Sequence, residues 1–154
     1  MGNIHSENSQ MIQVNSFNEL IETGYKEKQN AVVWNRELIG DFEEIVLKLT
    51  LRENITEVSI KDLQSLELTK KGNCAREIII QDLNALMKIG AQPSLNLLKN
   101  YECDDTFDFI STDVYSFHVD RSEIPTDTIL CTYYGSCSDI LENDQADKKI
   151  HIPE

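Results

Sequence analysis

Basic residues are scarce in this chain: 14 lysines and arginines stand against 27 aspartates and glutamates, a formal net charge of −13. Such a surface repels phosphate backbones and anionic lipid, which excludes nucleic-acid binding through a basic face. Long apolar runs are missing too. No stretch of about 18 apolar residues occurs, and no secretory leader opens the sequence, so neither a spanning helix nor export is expected. Glycine-rich phosphate loops and Gly-x-Ser-x-Gly elbows are absent, which removes two common routes to catalysis. Cysteine is sparse, at Cys74, Cys103, Cys131 and Cys137, with no Cys-x-x-Cys pair. That spacing gives neither a disulfide framework nor a zinc knuckle, and reduced thiols in a cytoplasmic protein are the expectation. A Cys131–Cys137 disulfide stays open as an alternative.

The opening Met1-Gly2-Asn3-Ile4-His5-Ser6 fits a loose N-myristoylation pattern. One acyl chain anchors only marginally without a second signal, and no lysine or arginine precedes Lys26. Stable membrane anchoring is therefore not expected.

What is present points to a folded domain. At 154 residues the chain fits one domain, able to bury roughly two-thirds of its unfolded surface. Residues 1–15 are polar and read as a flexible tail. Residues 16–154 read as a single α+β domain, helical over 16–102 and strand-rich over 103–154. Ser16 can cap a short helix carrying Phe17, Leu20 and Ile21, with Glu19 at the capping-box position and Gly24 ending it. Asn30 to Trp34 reads as a short buried strand, with Trp34 in the core. From Leu38 to Arg52 an apolar stripe of Leu38, Phe42, Ile45, Val46 and Leu49 predicts an amphipathic helix, with Asp41, Glu43, Glu44 and Lys48 facing water.

The stretch from Glu57 to Leu68 reads two ways: a strand at Val58–Ile60, or a helix capped by Ser59 running through Leu63 and Leu66. A clearer helix follows, capped by Asn73, carrying Ala75, Ile78, Ile79, Leu83, Leu86 and Ile89, and stopped by Gly90. Leu95 to Leu98 reads as a further helical turn. Thr106 to Asp120 and Ile124 to Tyr134 are rich in aromatic and β-branched residues and read as strands. Gly135 to Ser138 reads as a turn, and Ile150 to Ile152 as a last short strand. The expected fold is α+β: N-terminal helices packed on a small, mainly antiparallel C-terminal sheet.

The chemically pointed stretch is Phe117-His118-Val119-Asp120-Arg121. On a strand, the period of two sends Val114, Ser116, His118 and Asp120 to one face and Tyr115, Phe117 and Val119 to the other. A neutral imidazole and a carboxylate then point the same way, which is how one strand end supplies two facial ligands to a metal. A second histidine would complete a two-His-one-carboxylate set for Fe(II). His5 lies in the tail, so His151 is the candidate third ligand. No basic residue follows His151 to anchor a 2-oxo acid. The competing reading is a surface His–Asp hydrogen bond that needs no metal. Two further arrangements were weighed: Cys131 beside the His–Asp pair as a thiol triad, and Zn(II) held by His118, Cys131 and Cys137.

Three quoted segments carry a family resemblance: Phe117-His118-Val119-Asp120-Arg121-Ser122, then Pro125-Thr126-Asp127-Thr128, then Leu130-Cys131-Thr132-Tyr133-Tyr134-Gly135. Together they resemble the signature of an uncharacterised bacterial family of unknown function, in which a His-x-Asp is followed by a strand ending in Thr-Tyr-x-Gly. Val33-Trp34-Asn35-Arg36 resembles that family's N-terminal strand. The resemblance spans roughly Ala31 to Glu154 and is tight over about 117–153. It implies a jelly-roll-like, metal-dependent fold whose members continue to a second His-Arg motif. This chain ends at Glu154, so it resembles a short or truncated member, and only His118 and Asp120 carry over, with Arg121 and Asp127 as neighbours.

Three functional expectations follow. One is a divalent-metal site, Fe(II) or Zn(II), at His118, Asp120 and His151, in an oxygenase-like or hydrolase-like domain. Another is an acidic, non-catalytic interaction or inhibitor domain that binds a basic protein partner, with nucleic-acid mimicry as a special case; solubility alone also accounts for the charge. A third is a homologue that keeps the fold without the activity. If the C-terminal strands form half a sheet, their open edge favours a homodimer.

Overall fold

The computed structural model describes residues 10–26, 29–99, 124 and 126–141. The fold is α+β; among the described residues it has three short helices, one long helix and two two-stranded sheets. It divides into two compact units, one drawn from residues 1–37 and 138–154, the other from 38–137.

In the first unit, β1 (Met11–Val14) pairs in parallel with β2 (Ala31–Trp34), Met11 opposite Ala31 and Val14 opposite Trp34. Parallel neighbours need a crossover rather than a tight hairpin. Here α1 (Phe17–Glu22) lies within it. Ser16 caps α1 by accepting from the Glu19 amide. The Glu19 carboxylate reaches back to the Asn15 amide, one residue before the position a capping box would use. Val14 is buried, whereas β2 is only half-buried. Phe17 tilts against Trp34 at 6.3 Å between ring centroids, and the Arg36 guanidinium lies 4.2 Å above the Trp34 ring. Trp34 thus serves as a packing platform between an aromatic and a cation. Residues 11–14, grouped by sequence with the polar tail, are a strand, because alternating Ile12 and Val14 turn inward together.

The second unit is organised by helix packing. The elements are α2 (Phe42–Lys48), β3 (Ile55–Glu57), α3 (Ile60–Ser65), α4 (Lys70–Lys88) and β4 (Asn96–Leu98). The core joins Phe42 and Ile45 of α2, Val58, Leu63 of α3, and Ala75, Ile79 and Leu83 of α4. Leu63 is fully enclosed, and burial of such a side chain contributes roughly 1.5–3 kcal/mol. The ambiguous stretch resolves as the helix: Ser59 begins α3 through a full capping box with Asp62, and the neighbouring strand β3 ends at Glu57, before the expected Val58–Ile60.

Helix α4 starts earlier than its stripe predicts. Thr69 is the N-cap, accepting from the Gly72 amide, while Asn73 lies inside the first turn and bonds Leu68 and Arg76. It ends as expected, with Ile89 as C-cap and Gly90 at φ +87°. Helix α2 is shorter than 38–52, because Asp41 caps it and Leu49 turns to extended backbone.

Leu95 to Leu98 is not helical. Asn96–Leu98 is β4, antiparallel to β3, with Thr56 opposite Leu97. The alternation Asn96 out, Leu97 in, Leu98 out meets a waiting partner strand, and that tertiary pairing decides a segment too short to show a period. Of the described strands, β2, β3 and β4 therefore lie in the stretch read as helical, 16–102, and β1 in the stretch read as tail. The expected strand at Thr106–Asp120 lies outside the described residues. Residues 126–134, within the strand expected over Ile124–Tyr134, carry no strand, and Leu130 is 71% exposed: aromatic and β-branched composition alone does not make one. Among the described residues no helix is long and apolar enough to cross a membrane.

Candidate functional site

His118, Asp120 and His151 all lie outside the described residues, as do Arg121, His5 and Cys103. What is described is the sequence immediately after the His-x-Asp segment and the helices to which it is tied. Among the described residues, no group of three or more histidine, cysteine or acidic side chains is placed to hold a metal. Asp127, Cys131 and Cys137 are exposed, and neither cysteine is in a disulfide, so the Cys131–Cys137 bridge left open by the sequence is not formed.

The Thr132-Tyr133-Tyr134-Gly135 segment is where the C-terminal sequence meets the core. The Tyr133 ring stacks on Phe42 at 5.7 Å, with planes 15° apart, and its hydroxyl donates to the Asp82 carboxylate of α4 at 2.8 Å. The neighbouring Tyr134 hydroxyl donates to Glu43 of α2 at 2.7 Å. Consecutive residues thus reach two different helices. Gly135, at φ +92°, takes the backbone into the left-handed region directly afterwards, where a side chain would be strained. Burial first, then the Cys131 thiol and the Asp82 carboxylate, push the Tyr133 phenol above its ordinary value. The hydrogen bond to Glu43 raises the Tyr134 phenol. Both hydroxyls are therefore donors across the neutral pH range, and their role here is positional.

A second polar cluster joins α2 to the start of α4. The Glu44 carboxylate accepts from the Thr69 amide and from the Thr69 hydroxyl at 2.6 Å, and pairs with Lys48 at 2.9 Å. Lys48 also donates to the Glu67 carbonyl. These bonds, led by the Thr69 hydroxyl, lower the Glu44 carboxyl to about 2. Glu44 was expected to face water; its side chain is only 12% exposed. Gly72 makes room for it, since a Cβ there would stand 2.1 Å from Glu44 Oε2. On α3, the Ser59 hydroxyl lowers Asp62 in the same manner.

One turn further along α4, Arg76 ties the helix to α3. It donates to the carbonyls of Leu63 and Leu66, closing the C-terminal end of α3. Two shallow clefts flank this framework. One of about 100 Å³ is lined by Lys48, Arg52, Thr56 and Asp62, and one of about 130 Å³ by Val58, Leu83, Met87 and Pro93. Both fall below the roughly 300 Å³ at which ligand pockets begin.

Sequence reasoning missed Asp82, Glu43 and Glu44 as the acceptors that organise the unit. Tyr133 and Asp82 are 51 residues apart, and no local spacing announces such a pair. No curated protein and no solved structure is detectably similar to the chain. The resemblance to a family of unknown function is borne out at that level: the model described as "Protein of unknown function (DUF1826)" matches residues 17–152, and the chain belongs to that family.

Proposed function

We propose that the chain is a divalent-metal-binding domain whose ligands are His118 and Asp120, with His151 as the third. The carrying observation is the period-two placement of an imidazole and a carboxylate in Phe117-His118-Val119-Asp120, with apolar residues between and before them. Two facts support the reading. All three ligands fall inside the stretch of 17–152 that defines family membership. The segment that follows the His-x-Asp is pinned to α2 and α4 by Tyr133 and Tyr134, which gives that part of the chain a fixed point on the core. Fe(II) and Zn(II) are the metals that fit the donor set, through one neutral nitrogen and one carboxylate oxygen from adjacent same-face positions. The test is metal analysis of protein purified without a histidine tag, beside His118→Ala. One equivalent of transition metal, lost in the variant, is expected; a metal-free protein after reconstitution would overturn the reading.

A second reading is favoured by the charge of −13: an acidic surface that binds a basic protein partner. Glu43, Glu53, Glu57, Glu67 and Glu77 are exposed carboxylates on the second unit. Such a complex weakens as salt rises through the range where the Debye length falls below about 10 Å. Salt-independent capture, or none at low salt, would contradict it.

A further inference from the structure

We propose that the groove between the end of β3 and the last turns of α4 seats one arginine side chain of a basic protein partner. Its apolar lining holds the alkyl stem, and Glu57 meets the guanidinium. This rests on the acidic-surface reading and gives that surface one specific point of contact. Val58, Ile60, Leu83, Met87, Pro93 and Leu95 line the groove. The ladder of β3 and β4 continues one pair beyond the strands, where the Val58 amide donates to the Leu95 carbonyl at 2.8 Å and fixes that side. Leu83 and Met87 are four residues apart on α4, so they share a helix face and supply the other side. Val58 and Leu83 are buried, whereas Met87 is 45% exposed.

Size, polarity and charge choose the occupant. A volume of about 130 Å³ admits one side chain rather than a whole metabolite, since ligand pockets begin at roughly 300 Å³. The polar residues of the lining are Ser59 and Glu57. The Ser59 hydroxyl is committed to the cap of α3, where it bonds the Asp62 carboxylate and amide. Glu57 is the one charged residue of the lining; it is exposed, and among the described residues no side chain pairs with its carboxylate. Lys88 follows Met87 along α4 without lining the groove. An apolar slot with an unpaired carboxylate at its rim, on a chain of net charge −13, fits a long apolar stem that ends in a cation. Arginine fits better than lysine, because its guanidinium is less strongly hydrated and meets a carboxylate through two parallel bonds. A wholly apolar side chain would leave Glu57 unpaired, and an acidic one would be repelled. Met87 supplies a flexible side chain that re-packs around the stem. Arginines seated in such pockets recur among the residues that carry interface affinity.

Titration of the full chain with a blocked hexa-arginine peptide at low salt tests this. Peptide fluorescence anisotropy reads affinity, and the methyl resonance of isotope-labelled Met87 reads the groove. The chain has three methionines, so Met87→Leu assigns the signal. Saturable binding that shifts the Met87 methyl is expected. Glu57→Gln should weaken binding at least about threefold more than Glu77→Gln, which removes the same charge from an exposed position of α4 outside the groove. Hexa-lysine should bind more weakly than hexa-arginine, and hexa-citrulline, of the same shape without the charge, should not bind. Binding that leaves Met87 unshifted and treats the two glutamine variants alike would overturn the groove while the acidic-surface reading stands. No binding of hexa-arginine at low salt would overturn both. A concentration-dependent shift of Met87 without peptide, beside a dimer in solution, would also overturn the proposal, since a second copy would then be the occupant.

Discussion

Helix α4 and the segment 126–137 belong to the same unit and are held in different ways. The helix is held by a stripe of enclosed side chains, by a threonine cap and by a glycine that admits a neighbour's carboxylate. In the segment 126–137, which carries neither helix nor strand, the Tyr133 and Tyr134 hydroxyls donate to Asp82 and Glu43. Burial of a stripe couples every turn of the helix to every other. The contacts of Tyr133 and Tyr134 join the segment to Phe42, Asp82 and Glu43. The difference shows why composition is a poor guide to secondary structure: the segment is as rich in aromatic and β-branched residues as a strand, yet it carries none.

The largest expected effect comes from the enclosed side. Leu63→Ala leaves a void against α2 and α4 and should cost about 2–5 kcal/mol in urea or thermal unfolding. A cost under about 1 kcal/mol would mean the site collapses around the void, and the core is looser than its burial implies.

The next effect concerns the cap of α4. A glycine inside a helix normally gains roughly 1 kcal/mol on replacement by alanine. Gly72→Ala should instead destabilise, because its Cβ displaces the Glu44 carboxylate from Thr69. The same contact sets a pH dependence. Glu44 titrates near 2 in the folded chain against an ordinary value of 4.5, so its contribution is present above about 4.5 and is lost as pH falls towards 2. Gly72→Ala and Glu44→Gln should both flatten acid unfolding in that window. A Gly72→Ala protein that is more stable, with an unchanged acid limb, would remove Glu44 from the account.

Helices α2 and α4 were legible in sequence, and their starts were not. The stripe through Ile45, Ala75, Ile79 and Leu83 is a property of local spacing, so periodicity finds it. The starts at Asp41 and Thr69 depend on which side-chain oxygen meets an amide, and several candidates lie within a few residues of each. Strand β4 was misread because three residues carry no period, and β1 because a four-residue strand flanked by polar Gln10 and Asn15 has only Ile12 and Val14 turned inward. Glu44 looked solvent-facing because its partner lies 25 residues away. Tyr133 and Tyr134 were legible as part of a signature, but their acceptors on α4 and α2 were not. The ligand proposal rests on period-two spacing alone, since His118, Asp120 and His151 lie outside the described residues.

The most direct measurement is a calorimetric titration of Zn(II), and of Fe(II) under anaerobic conditions, into the full untagged chain, run in parallel with His118→Ala, Asp120→Ala and His151→Ala. The account predicts one site per chain. Loss of one of the three ligands in either His118→Ala or Asp120→Ala should weaken it by at least about tenfold, with a smaller or equal loss in His151→Ala. Binding that is absent in the wild type, or unchanged in all three variants, would contradict it.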